Sequence, residues 1–286
     1  MSAKVVQRHS LFFADVRGLD ARAPTEALRA EVEAIMDRYA VCVLRDQKLD
    51  DDKQIAFSSL FGPLESQPGT RGNKKRSPRM EIWNVTNLDA EGNFQSDEDA
   101  SRQYRIANQL WHTDSSFRQV SGKYSLLYAH QVPPIGADTQ FTDTRAVYDA
   151  LPEATKARLD GLVAEHSVWY SRGILGGYEP TEEERNRRPP AQHPLVRTIP
   201  GSGRRALFIA SHVSRIIGWP ETDSRALLDE LMDFATQPRF VYAHRWNVGD
   251  LVIWDNRCTM HRATPFEDDV YVRDMRRTTT RDVAFA

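Results

Sequence analysis

Two distant places in the chain restrict its fold most: the run Asn108-Gln109-Leu110-Trp111-His112-Thr113-Asp114-Ser115-Ser116, and His261 far downstream. On extended backbone, residues i and i+2 share a face, so the spacing predicts that His112 and Asp114 converge on one point. A second imidazole, from His261, completes a set of two histidines and one carboxylate. Such a set leaves one face of an octahedral metal open, as non-haem Fe(II) oxygenases require. A fold that uses this set must bring residues 112–114 and 261 together.

The surrounding pattern favours short strands. Residues 40–45, 80–86, 124–129, 205–210, 240–246, 251–254 and about 275–283 read as strands, and 132–141 as a turn into another. Residues 161–170 and 193–199 also look extended. Helical spacing marks 25–38, with Thr25 as cap, and 51–61, stopped by Gly62; further helices are expected near 143–150, 152–160 and 223–235. The first two helices are expected on the outside of a sheet. Helices gathered at the start and in inserts point away from alternating βαβ units. The fold class expected is mainly β with flanking helices, a double-stranded β-helix (jelly roll), as one domain over 1–286. The Pro-, Gly- and Lys/Arg-rich stretch 65–79 reads as a lid loop, and 171–192 as a long insert.

Composition removes several alternatives. A net charge of −2 supplies no basic field for nucleic acid or an anionic membrane. No apolar run approaches the roughly 20 residues of a membrane span, and the N-terminus lacks a signal-peptide pattern. Cys42 and Cys258 form no C-x-x-C pair, so they read as reduced thiols of a cytoplasmic protein. The partner expected is a small anionic molecule, with neither nucleic acid nor membrane, and the protein is expected to be a homo-oligomer.

Linked blocks add specificity to the histidines. Gln54-Ile55-Ala56-Phe57, Phe61-Gly62-Pro63-Leu64, Asn108 through Phe117, Asp138-Thr139, Trp246 through Val252 and Trp254-Asp255-Asn256-Arg257-Cys258 occur in an order that resembles the taurine dioxygenase (TauD/TfdA) family. Within that family the blocks are most similar to the branch that acts on 2,4-dichlorophenoxyacetate. The resemblance runs from about residue 10 to the C-terminus. It implies His112, Asp114 and His261 as catalytic Fe(II) ligands, with α-ketoglutarate and dioxygen as co-substrates. Thr139 and Arg273 match the pair that holds the distal carboxylate of α-ketoglutarate, a task suited to a planar guanidinium fork. Arg277 matches the arginine that takes the acidic group of the prime substrate, and Asn108 a pocket residue. On a strand, Arg273 and Arg277 are expected to share a face, with Cα atoms about 13 Å apart. Trp169, Tyr170, Ile174 and Leu175 are candidate walls of an aromatic pocket.

The activity so implied hydroxylates the carbon beside the acid group of an aryloxyalkanoate. The unstable product gives a phenol and glyoxylate, or pyruvate from a 2-aryloxypropionate, with succinate and carbon dioxide, a step in herbicide degradation. An enzyme for taurine, another sulfonate or an alkyl sulfate is the alternative, and a metal-bearing barrel without catalysis is another. The absence of a His-Glu-x-x-His helix argues against a zinc hydrolase. Asp114 argues against a halogenase, which lacks the carboxylate ligand.

Overall fold

A computed structural model of the chain describes residues 3–66, 77–95, 107–176 and 179–282. In chain order its strands are β1 (Lys4–Gln7), β2 (Ala14–Arg17), β3 (Val41–Leu44), β4 (Trp83–Thr86), β5 (Gly122–Gln131), β6 (Thr139–Asp143), β7 (Val163–His166), β8 (Ala191–Pro194), β9 (Val196–Thr198), β10 (Arg205–Leu207), β11 (Val213–Ile216), β12 (Val241–His244), β13 (Leu251–Asp255), β14 (Thr259–Ala263) and β15 (Asp274–Arg281). Seven of them form a major sheet in the order β1-β2-β3-β13-β5-β15-β4. A minor sheet, β12-β6-β14, packs across it, and β11-β7-β8 and the β9-β10 pair extend the smaller wall. These two walls make the jelly roll.

Period-2 alternation decides which side chains enter the barrel. Along β5, Tyr124, Leu126 and Tyr128 join the cluster beneath the helices, whereas Leu127 and Ala129 join the interior cluster. Leu251 and Ile253 of β13 face outward, and Val252 and Trp254 inward. Met275 of β15 packs inside with Phe141 of β6 and with Trp246. Arg273 and Arg277 therefore share the interior side with Met275. Arg276 points outward, where it pairs with Asp274 and approaches Asp51 at 3.9 Å.

Helices α1 (Glu26–Tyr39) and α2 (Asp51–Ser59) cover the outer face. The Thr25 hydroxyl caps α1 by accepting from Leu28 N, and Asp50 caps α2 by accepting from Lys53 N. Leu28, Val32, Ile35, Met36 and Tyr39 are the buried stripe of α1. Each such side chain contributes about 1.5–3 kcal/mol, against at most about 1 for a surface ion pair such as Arg29–Glu26. Apolar contact, rather than charge, docks the helix.

Several expectations need correction. His261 lies on a strand of its own not expected from the sequence, β14, because the chain turns sharply at 256–258 and starts pairing with β6 at once. Asp114 lies in a turn, so the strand alternation expected for His112 and Asp114 is replaced by a single backbone bridge and a corner. The stretch 161–170 ends its strand at His166. Ser167 Oγ accepts from Tyr170 N at 3.4 Å, and a helix follows over Val168–Gly176 despite its aromatic, β-branched start. The insert 171–192 also carries the helix Glu182–Arg187, started by a Thr181/Glu184 capping box. The polar start contains β1 and β2, an edge hairpin with little apolar alternation. Most of the expected lid, 67–76, lies outside the described residues. Among the described residues, no helix is long and apolar enough to cross a membrane.

Candidate functional site

The site begins with the backbone. His112 N donates to His261 O at 3.0 Å, and His261 N to His112 O at 2.8 Å, an isolated antiparallel bridge between distant parts of the chain. It brings the imidazoles to 4.2 Å between centroids, with Phe141 stacked on His261 at 5.9 Å. Asp114 follows two residues on. One ligand atom from each of His112, Asp114 and His261 lies within 4.8 Å of the others, and all three residues are buried.

Asp114 is held from every side. Its amide donates to Asn256 Oδ1 at 3.1 Å, while the Thr113 hydroxyl donates to Asn256 O at 2.7 Å. Asn256 Oδ1 also accepts from Trp254 Nε1, and Asn256 Nδ2 donates to Ser125 Oγ at 2.9 Å. Ser125 in turn donates to Asp114 Oδ2 at 2.7 Å, and Arg277 Nη1 donates to Asp114 Oδ1 at 2.5 Å. Ser115 takes the left-handed conformation, φ 61°, and its hydroxyl donates to the buried Glu65 carboxylate at 2.9 Å. Gly122 is required by close approach: a Cβ there would lie 3.2 Å from Asp114 O and 3.1 Å from a Thr279 methyl.

Electrostatics suit metal ligation. Burial would raise the Asp114 carboxyl, but Arg277, His261, His112 and the Ser125 hydroxyl together hold it down to about 2. Burial lowers His112, and burial beside His112 holds His261 well below the usual imidazole range. Both rings are therefore neutral near pH 7. His112 Nδ1 lies 2.8 Å from the Leu110 carbonyl, which can only accept, so Nδ1 carries the proton and Nε2 the lone pair. Two neutral imidazoles and an ionised carboxylate on one point form the donor set of the facial triad.

Arg273 stands inside the barrel with its Nε buried and without a partner. Burial lowers this guanidinium to about 10, and among the described residues no neighbouring carboxylate offsets it. Thr139, at the head of β6, accepts from Trp246 Nε1 at 3.0 Å. A buried arginine with an unsatisfied Nε and a buried hydroxyl, both on the barrel interior, fit a dicarboxylate co-substrate. Arg277 lies over the Trp83 ring at 5.4 Å as well as on Asp114. Asn108 reaches the site's rim through its backbone, its carbonyl accepting from Ala263 N.

The proposed aromatic wall is only partly assembled. Trp169 Nε1 donates to Arg188 O, Tyr170 accepts from Arg225, and Ile174 is 52% exposed; the side chain of Leu175 lies outside the described residues. Instead, Ser171 of the same helix bonds His212 at 2.8 Å. His212 stands edge-on to His112 at 6.1 Å and to Phe117 at 5.1 Å. Sequence reading missed His212, Ser125, Asn256, Glu65 and Trp246. A separate cavity of about 770 Å³, lined by Arg29, Asp37, Lys123 and Asp282 among others, lies on the helical flank and includes none of the candidate ligands.

With this geometry in hand, likeness to known proteins is informative. A family model described as taurine catabolism dioxygenase TauD, TfdA family matches residues 6–279. The chain is 45% identical, over 99% of both sequences, to the alpha-ketoglutarate-dependent 2,4-dichlorophenoxyacetate dioxygenase of Cupriavidus pinatubonensis. It is 36% identical to an (S)-phenoxypropionate/alpha-ketoglutarate-dioxygenase of Sphingobium herbicidovorans, covering 90% of this chain and 87% of that one. The crystal structure of AAD-2 in complex with Mn(II) and N-oxalylglycine superposes with a TM-score of 0.91 at 42% identity, covering 99% of this chain and 98% of that one.

Proposed function

The chain belongs to the TauD/TfdA dioxygenase family, and from that premise we propose that it is an Fe(II)- and α-ketoglutarate-dependent dioxygenase of aryloxyalkanoates. The observation that carries this reading is the buried cluster of His112, Asp114 and His261, with Arg277 bonded to Asp114 and the Nε of buried Arg273 unsatisfied among the described residues. In this assignment those three residues hold the iron, Thr139 and Arg273 hold the distal carboxylate of α-ketoglutarate, and Arg277 and Asn108 serve the prime substrate. When bound, iron and α-ketoglutarate supply the oxidising power that places one atom of dioxygen on carbon and leave succinate and carbon dioxide.

The chain's own part is positioning. The bridge from His112 to His261 fixes the two imidazoles, and Asn256 and Ser125 orient the Asp114 carboxylate. Arg277 stands next to Asp114, so a substrate carboxylate drawn to it would present its neighbouring carbon to the centre. Phe117 and His212 offer ring faces and edges against which an aryl group can pack. An aryloxyacetate hydroxylated beside its carboxylate then collapses to a phenol and glyoxylate, and a 2-aryloxypropionate to a phenol and pyruvate. Two unpaired, buried cysteines suit a reducing compartment such as the cytoplasm.

A sulfonate or alkyl-sulfate substrate is less well supported, because relatives named for sulfate esters are more distant than those named for phenoxyalkanoates. The test measures succinate and phenol in the same tubes, for wild type and Arg277→Ala, over aryloxyacetates, 2-aryloxypropionates, sulfonates and alkyl sulfates. Wild type is expected to release phenol with succinate. Arg277→Ala is expected to lose most phenol while keeping uncoupled succinate formation and α-ketoglutarate affinity. Wild type that yields no phenol from any aryloxyalkanoate would overturn the substrate assignment.

A further inference from the structure

Thr139 and Trp246 occupy a defined place next to the centre. Thr139 and Phe141 are alternate residues of β6, so they share a face, and Phe141 stacks on His261. In the β6–β14 ladder Thr139 opposes Ala263 and Phe141 opposes His261. Thr139 is thus one cross-strand step along the same wall from a candidate iron ligand. From the other side β12 places His244 opposite Thr139. Two residues on, Trp246 turns back over the wall and donates its indole N–H to Thr139 Oγ1 at 3.0 Å.

A threonine hydroxyl has one proton and two lone pairs. The indole can only donate, so it occupies a lone pair and cannot take the proton. Among the described residues this hydroxyl has no other hydrogen-bond partner, so the proton is left for whatever enters beside it. The indole is itself fixed. His244 meets it edge-on at 4.8 Å, and Asp250 Oδ2 accepts from Asn247 N at 2.9 Å and from Arg45 Nη1 at 2.7 Å while lying 3.2 Å from His244 Nε2. Asp250 thereby clamps the chain on both sides of Trp246. A donor bonded to the hydroxyl oxygen also polarises its O–H, which strengthens the bond that the hydroxyl gives onward.

We propose that Trp246 is a positioning residue for the co-substrate: its N–H commits the Thr139 hydroxyl to donating toward the distal carboxylate of α-ketoglutarate. This rests on the assignment of Thr139 and Arg273 to that carboxylate. It makes Trp246 a determinant of discrimination between α-ketoglutarate and shorter 2-oxo acids, because a 2-oxo acid without the distal carboxylate has nothing for the hydroxyl to hold.

The experiment measures binding of α-ketoglutarate and of pyruvate to the Mn(II)-loaded protein by calorimetry, in wild type, Thr139→Val, Trp246→Phe and the double variant. Thr139→Val is expected to weaken α-ketoglutarate about tenfold or more, as for loss of a hydrogen bond to a charged group. Trp246→Phe is expected to weaken it about threefold to tenfold. Pyruvate binding is expected to change by less than about twofold in both, and the Trp246 effect to vanish in the Thr139→Val background. If Trp246→Phe is poorly folded, replacing Trp246 with its benzothiophene isostere removes the N–H and keeps the shape. Unchanged α-ketoglutarate binding in Thr139→Val would overturn the assignment of Thr139 itself. A Thr139→Val effect without a Trp246 effect, an equal loss of pyruvate, or full additivity in the double variant would overturn the positioning role alone.

Discussion

Two regions of the barrel bury arginines, and they treat them in opposite ways. At the ends of β6 and β13 the chain makes the same corner twice. Asp143 Oδ1 accepts from Arg145 N and Nε at 2.9 and 3.0 Å, and Oδ2 from Nη2 at 2.9 Å. Asp255 repeats the pattern with Arg257 at 2.9, 2.9 and 2.7 Å. Burial alone would lower both guanidiniums, but Cys258 and Asp143 raise Arg145, and Asp255 raises Arg257, above the usual arginine range. Arg273, equally enclosed, has no such partner and is lowered to about 10. The fold that closes an Asp-x-Arg corner twice leaves Arg273, among the described residues, without such a carboxylate on the interior side of the major sheet. Closed pairs secure the strand ends; the open group suits an anion from outside, as its proposed role toward the co-substrate requires.

The largest effects test whether the open region serves turnover rather than folding. His112→Ala, Asp114→Ala and His261→Ala are each expected to reduce α-ketoglutarate-dependent turnover to background while leaving the circular dichroism spectrum of the barrel in place. Wild-type-like turnover in any one of them would remove that residue from the centre.

A matched pair of variants comes next. Arg145→Ala leaves the buried Asp143 carboxylate with only the longer 4.0 Å approach of Arg204, and is expected to lower unfolding free energy by about 3 kcal/mol in urea while sparing α-ketoglutarate affinity. Arg273→Ala is expected to do the reverse: folding stability unchanged or improved, and α-ketoglutarate affinity weaker by about 2–5 kcal/mol, roughly 30- to several-thousand-fold. If Arg273→Ala destabilises the fold as much as Arg145→Ala, the distinction between open and closed arginines fails.

The smallest effect is a pH dependence on the site's flank. His193 lies behind the Asp114 corner, its Nε2 within 2.8 Å of Ser116 O and 3.0 Å of Arg118 O. Burial, aided by Arg197, lowers it from 6.5 to about 4. Below pH 6.5 the unfolded chain therefore takes up a proton that the folded chain refuses. The stability contributed is full above pH 6.5 and lost progressively as pH falls to about 4, on the order of 3 kcal/mol in all. Urea midpoints between pH 7 and 4 are expected to fall less steeply in His193→Asn than in wild type. Equal slopes would place the titration elsewhere.

These contrasts also show what was readable in advance. Histidine is scarce and the blocks are ordered, so His112, Asp114, His261, Thr139 and Arg273 stood out as candidates, and the fold gathers the first three within 4.8 Å. That Arg273 and Arg277 share a face was visible too, because β15 keeps a regular count across the register shift opposite His130. The groups that hold the ligands were not. Ser125 is a small polar residue in a strand whose middle is mostly apolar, and Asn256 one polar residue in a polar turn. Only pairing between β5, β13 and the Asp114 corner brings them together. Residues 168–176 misled because Val168, Trp169 and Tyr170 favour strands, and the capping hydroxyl of Ser167 outweighed them.

The bridge between His112 and His261 also sets a timetable for the molecule's birth. At about 5–20 residues per second, synthesis delivers His112 and Asp114 well before β14 and Arg273 exist. A nascent chain thus offers one imidazole and one carboxylate, a poor chelate for any stray cation in the cell. The third candidate donor, His261, arrives only with the strand whose pairing to β6 completes the smaller wall, and Arg273, proposed to hold the co-substrate, comes later still. Closing such a long loop is slow compared with forming a local hairpin. Capture of the ion therefore becomes one of the last acts of folding, and a chain cut short before β14 cannot become a half-built oxidant.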